Sequence, residues 1–127
     1  MKKVIIVILS LFSFTLVAGA LNGRGEVNSY RKKPKEAIEM YKKAIAIAPN
    51  AAGMYINIGR EYILFYERQG DKENLNLAKD YLKKAIELNE NVYDAYQYLG
   101  KVFLELEDYG NAIAILEKVI KIKPAAS

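Results

Sequence analysis

Few residues in this chain are equipped for chemistry. Glu61, Glu67, Asp80 and Glu105 are the carboxylates placed where proton transfer could be sought. A glycosidase-like reaction would need two of them facing each other across a cleft. Their positions read more simply as solvated faces and ion pairs. The sequence contains no His and no Cys. That removes the imidazole bases, the Ser-His-Asp triad, the thiolate nucleophile and nearly all zinc chemistry. No glycine-rich phosphate loop follows a strand, because no segment reads as a strand. Ten tyrosines could stack on sugars or proline-rich peptides. Tyr41, Tyr55, Tyr62 and Tyr96 instead fall at packing positions, while Tyr93, Tyr98 and Tyr109 are less obviously buried. The expectation is a protein without enzymatic activity, cofactor or metal.

The elements that must carry these residues begin after an N-terminal address. Met1-Lys2-Lys3 is a short basic start, Val4 to Val17 holds no charge, and Ala18-Gly19-Ala20 gives small residues in an A-x-A arrangement. This is the layout of a secretory signal peptide cut after Ala20, over residues 1–20. The rival reading is an uncleaved membrane anchor over residues 4–21, about 27 Å long as a helix. Either places the folded part outside the cytoplasm, periplasmic or secreted in the first case and membrane-bound in the second. The style of the segment and the Lys/Ile/Asn-rich usage suit a bacterium. Of 19 Lys and Arg against 15 Asp and Glu, Lys2 and Lys3 would go with the signal, leaving 17 and a net charge of about +2. So small and scattered a charge gives no sign of a nucleic-acid partner. The densest basic cluster, Arg31, Lys32, Lys33 and Lys35, reads as part of a solvated linker over residues 21–34.

The remainder, residues 35–127, reads as five helices. The first opens at Pro34 and stops before Pro49. The others run over about 51–69, 74–88, 92–106 and 111–122. Glu39–Lys43, Asp80–Lys84 and Glu117–Lys121 are i,i+4 pairs that mark exposed faces. Three of the helices share A-x3-[YL]-x2-[AV]-x4-[PE]: Ala37, Tyr41, Ala44, Pro49; Ala78, Leu82, Ala85, Glu90; Ala112, Leu116, Val119, Pro124. The other two share Y-x2-[IL]-G-x2-[YF]: Tyr55, Ile58, Gly59, Tyr62 and Tyr96, Leu99, Gly100, Phe103. A glycine inside a helix costs about 1 kcal/mol relative to Ala, which is acceptable where a neighbouring helix must come close.

These two patterns together resemble the tetratricopeptide repeat, a helix–turn–helix unit of W-x2-L-G-x2-Y, A-x3-F and P. The resemblance covers about residues 35–126. Tyr55 and Tyr96 stand where the family often has Trp, and Glu90 replaces the closing Pro. Tyr62 and Ala78 are fifteen residues apart where the family has eight, so seven residues are inserted. Seven residues are about two helical turns, and the apolar stripe Tyr62, Phe65, Tyr66, Leu75, Ala78 continues across them. Both helices of the middle unit are therefore expected to be longer by about one turn. The first unit lacks its opening helix, since residues 18–31 show none of the expected types. The expected fold is all-α: a short right-handed solenoid of about two and a half repeats. These are a half repeat at 35–50, an extended repeat at 52–91 and a repeat at 93–126.

The resemblance implies a concave face, lined by the first helix of each hairpin, that binds a peptide or protein. Its lining would include Ile56, Arg60 and Ile63, then Gln97, Lys101 and Leu104. Arg60 and Lys101 occupy equivalent places and could hold a carboxylate. The family's clamp for a C-terminal carboxylate is not expected, because its three-unit constellation is missing. The function read here is an exported adaptor or scaffold that binds a protein or peptide partner. The alternative is a self-assembling structural protein. No capping helix follows Pro124, and the last helix is apolar on most sides, so Ile113, Ile115, Ile120 and Ile122 form a candidate end interface or homo-oligomer contact.

Overall fold

The computed structural model describes residues 2–30 and 32–122; the side chains of residues 5–15 and of Tyr30 lie outside that description. The centre of the candidate signal or anchor, Arg31, and the chain end at Pro124 therefore fall outside the described residues. Within them there are six helices and no strand: α1 (Lys2–Tyr30), α2 (Pro34–Ile47), α3 (Ala52–Gln69), α4 (Glu73–Leu88), α5 (Tyr93–Glu105) and α6 (Tyr109–Ile122). Among them, no helix is long and apolar enough to cross a membrane. Each helix packs on its neighbour in sequence, α1 on α2, α2 on α3, and so on to α6. The result is three stacked hairpins.

Five helices and two and a half repeats were too few. Residues 21–30 are not a linker but the second half of α1, which forms a complete first hairpin with α2. Leu21, Arg24 and Asn28 stand where the later hairpins carry Tyr, Ile or Leu, and Tyr or Phe, so the apolar motif is absent. The small residue is present. Gly25 precedes Ala37 by twelve positions, as Gly100 precedes Ala112. A Cβ on Gly25 would come within 2.5 Å of the Tyr41 ring, so the close helix approach is real.

The turns agree. Lys32 and Glu107 both have φ of 59°. Lys33 N–H donates to the Asn28 carbonyl (2.8 Å) and Asp108 N–H to the Phe103 carbonyl (2.9 Å), each closing the helix before it. In the middle hairpin the left-handed position is held by Gly70 (φ 74°), whose N–H caps α3 on the Tyr66 carbonyl at 2.7 Å.

The inserted residues all lie in helix. α3 and α4 have 18 and 16 residues, against 13 and 14 in α5 and α6. The extension is thus unequal, about a turn and a half in α3 and half a turn in α4. The largest apolar cluster lies here and in the third hairpin, with Leu75, Leu82, Leu99, Val102 and Phe103 at its centre. A smaller one joins α2 to α3 through Ile38, Tyr41 and Ile58. Burial of each such side chain contributes about 1.5–3 kcal/mol.

Two departures from the repeat pattern have a common explanation. The Tyr55 hydroxyl donates to the Pro49 carbonyl (2.8 Å) and the Tyr96 hydroxyl to the Glu90 carbonyl (3.0 Å). In both cases tyrosine ties its helix to the turn six residues earlier. Only the carbonyl is used, so Glu90 serves as well as Pro49.

Candidate functional site

The first helices of the three hairpins, α1, α3 and α5, are joined by polar side-chain contacts, and α3 and α5 also share the large apolar cluster through Ile63, Leu99, Val102 and Phe103. Asn57 donates to Asn22 (3.1 Å), and the Ser29 hydroxyl donates to Glu61. Asn22 also donates to Glu26 at 3.2 Å. Between α3 and α5, the Lys101 ammonium pairs with Glu67. The Tyr66 hydroxyl donates to Glu105 at 3.1 Å, and that bond holds its phenol above the ordinary value.

This geometry redistributes the expected groove residues. Gln97 and Lys101 are exposed and Leu104 is 48% exposed, so these three are accessible. Gln97 donates to the Tyr93 hydroxyl (3.0 Å). Ile56 and Arg60 are half-buried. Ile63 is a correction. It is buried in the large core cluster with Val102 and Phe103 of α5, because α5 of the next hairpin packs against α3, whereas the equivalent Leu104 has no described helix beyond it. The basic pair is also not a free one, since Glu67 already neutralises Lys101.

Arg60 faces the most polar part of the interior. Burial raises the Tyr41 phenol above its usual range; Arg60 opposes that rise, and Glu61 and Glu26 add to it. The Tyr41 hydroxyl is buried without a hydrogen-bond partner of normal geometry. Glu61 is 1% exposed, which corrects its reading as a solvated carboxylate. Burying a carboxylate is costly unless it is bonded, and the Ser29 contact from α1 answers that need. Asn22, Glu26 and Ser29 were missed because α1 was not seen as a repeat helix. The Gly25-to-Ala37 spacing was the signal that places them.

At the far end, Ile113 and Ile120 are 58% and 63% exposed, with Leu116 at 44% and Tyr109 at 58% between and before them. Ile115 does not belong to this face. It packs inward on the core and over Gly100. Ile122 is half-buried at the last described turn.

The family pattern described as tetratricopeptide repeat matches residues 18–51, 52–92 and 93–125. The chain belongs to the tetratricopeptide repeat family. Its repeats number three, in agreement with the three hairpins. Among similar solved structures is the crystal structure of MamA, with a TM-score of 0.75 and 31% identity over 84% of this chain and 58% of that one. The first such domain of Spaghetti (RPAP3), bound to the HSP90 peptide SRMEEVD, has a TM-score of 0.78 at 21% identity, covering 88% and 85%.

In sequence, the Sol locus transcriptional repressor of Clostridium acetobutylicum is 35% identical over 89 residues, 67% of this chain and 26% of that protein. The BBSome complex member BBS4 of Bos taurus is 36% identical over 92 residues, 72% of this chain and 16% of that protein. The chain spans about a quarter and a sixth of these two relatives.

Proposed function

We propose that this protein is a non-catalytic interaction module that holds a segment of a partner protein against α1, α3 and α5. It works as an adaptor outside the cytoplasm. The observation that carries the reading is the surface formed by these three helices. Exposed Gln97, Lys101 and Leu104 lie beside half-buried Ile56 and Arg60, with Asn22 and Asn57 alongside. Amide and charged groups suit peptide backbone and side chains, and the aliphatic residues supply apolar contact. The peptide seen on the Spaghetti domain supports the same use of a similar fold.

The test is a photo-crosslinking residue placed at Gln97, with Lys84 on α4 as the control, in the protein's own host. A discrete foreign adduct from position 97 and none from position 84 is the expected result. Adducts of equal yield from both positions, or none from 97, would remove the groove assignment.

Export rests on the residues 1–20 pattern. A second reading is an uncleaved anchor over residues 4–21, and Ala18 bears on whether that segment is retained. Ala18 is 2% exposed, and the repeat pattern already begins at residue 18. Cleavage after Ala20 would remove it. The intact mass of the protein recovered from the host decides between the two. Loss of the first twenty residues gives a secreted or periplasmic adaptor, and a full-length mass gives an anchored one.

A further inference from the structure

Within the stack, the second helix of each hairpin is covered by the first helix of the next: α2 by α3 and α4 by α5. Among the described residues two faces lack that partner, the outer side of α6 and the outer side of α1. Aligned on Ala37, Ala78 and Ala112, the positions of Ile113, Leu116 and Ile120 correspond to Ile38, Tyr41 and Ile45 in the first hairpin. In the second hairpin they correspond to Lys79, Leu82 and Ile86. Tyr41 and Leu82 are fully buried and Ile38 is buried, whereas Leu116 and Ile113 are exposed. The α6 stripe therefore has the side chains of an internal junction without the helix that covers one.

Aligned on Gly25, Gly59 and Gly100, the outer positions Ala20, Gly23 and Val27 of α1 correspond to Ala95, Tyr98 and Val102 of α5. Ala95 and Val102 are fully buried, and α5 carries them into its junction with α4. Ala20 and Val27 are exposed, and with Gly23, Arg24 and Asn28 they line a surface depression of about 540 Å³. One end of the molecule is thus an apolar ridge and the other an open depression.

We propose that copies of this chain stack head to tail, with α6 of one against α1 of the next, continuing the internal repeat across molecules. This goes beyond the groove reading and does not depend on it. The internal junctions supply the template, and their contacts have chemically matched images between copies. The Ser29–Glu61 contact maps onto Leu104 of one copy and Val27 of the next, two exposed apolar side chains. Asp108 lies in the field of Lys79 and Lys83 on the preceding helix. The same geometry sets Lys33 of the next copy beside Glu117 and Ile113. The charges are reversed and still opposite. The acidic turn with Glu105, Glu107 and Asp108 likewise falls next to Lys32, Lys33 and Lys35. Such a contact is heterologous, and it forms open chains unless the rotation closes a ring.

Two substitutions separate the ends. Ile120→Lys puts a charge on the exposed ridge of α6, at a position that is isoleucine in both internal junctions. Val27→Lys puts a charge on the outer side of α1, where the counterparts Glu61 and Val102 are fully buried in the internal junctions; Val27 is 48% exposed in the single chain, so only a docked copy is obstructed. Sedimentation of the full chain in a mild detergent of known micelle mass, across a hundredfold concentration range, gives the readout. The wild type is expected to grow beyond dimers with concentration, and less so in high salt. Each variant alone is expected to stay at one 14.4 kDa chain per particle. Mixed in equal amounts, each supplies the end the other lacks, and they should stop at a one-to-one dimer. A wild type that stays monomeric throughout would overturn the proposal. So would a Val27→Lys variant that still dimerises, which would show α6 pairing with itself. Unchanged helical circular dichroism and melting of each variant establish that the loss is one of association.

Discussion

At the scale of single residues, the three helix-interior glycines at equivalent positions do not carry equal weight. A Cβ on Gly59 would meet Leu82 Cγ at 2.7 Å, and Leu82 is fully buried with no room to yield. On Gly100 the nearest atom, Ile115 Cγ2, is an ordinary 3.5 Å away. Gly59→Ala is therefore expected to destabilise by about 1–3 kcal/mol through overpacking. Gly100→Ala should be neutral or gain up to about 1 kcal/mol from helix propensity. Urea denaturation of both variants checks the contrast, and equal losses would contradict it. Buried Glu61 gives a second expectation. Ser29→Ala removes its partner and should cost about 1–3 kcal/mol, with the first hairpin loosening before the others. The glycines and alanines were legible in the sequence because their spacing repeats. The Glu61 environment was not, since it depends on a helix whose motif residues are polar.

At the scale of elements, the unevenness of the hairpins was partly readable. The seven inserted residues kept the apolar stripe in phase, which pointed to longer helices. Their division between α3 and α4 depends on where Gly70 can adopt a left-handed conformation, and no periodicity reports that. The start of α6 is set by Asp108, whose carboxylate accepts from the Asn111 side chain (2.8 Å) and from its backbone N–H (3.3 Å). These bonds, the side-chain one first, hold the carboxyl below its ordinary 3.8. A carboxyl lowered on folding favours the native state above the unfolded value, and that contribution is lost as pH falls through the folded value. Thermal melting should therefore drop as pH is taken below about 3.8, and Asp108→Asn, which keeps an acceptor for the cap, should flatten this dependence. A variant with the same acid sensitivity as the wild type would show that other carboxylates govern it.

At the scale of the whole molecule, the fold class was legible from two repeats and the missing hairpin was not. The apolar residues at the start of the chain read as an address, and that reading drew the boundary through a helix. The same residues belong to one continuous helix, so address and architecture overlap at residues 18–20. A chain beginning at residue 21 is expected to keep the Gly25–Tyr41 contact and lose the buried Ala18. That should cost about 1 kcal/mol in the first hairpin. Hydrogen exchange would show faster amides in α1 and α2 with α3–α6 unchanged, whereas uniform loss of protection would show that the hairpins unfold as one unit.

The mainly sequential packing of α1 to α6 has a consequence for how the protein is made. Every helix finds its main partner in the segment synthesised immediately before or after it. A growing chain can close its first hairpin as soon as α2 has emerged from the ribosome and add each later helix to a finished surface. No early segment waits for a distant C-terminal one, which keeps loop closure short and folding fast. At every stage the unfinished end is a single helix face awaiting the next, so each helix folds onto a surface already formed.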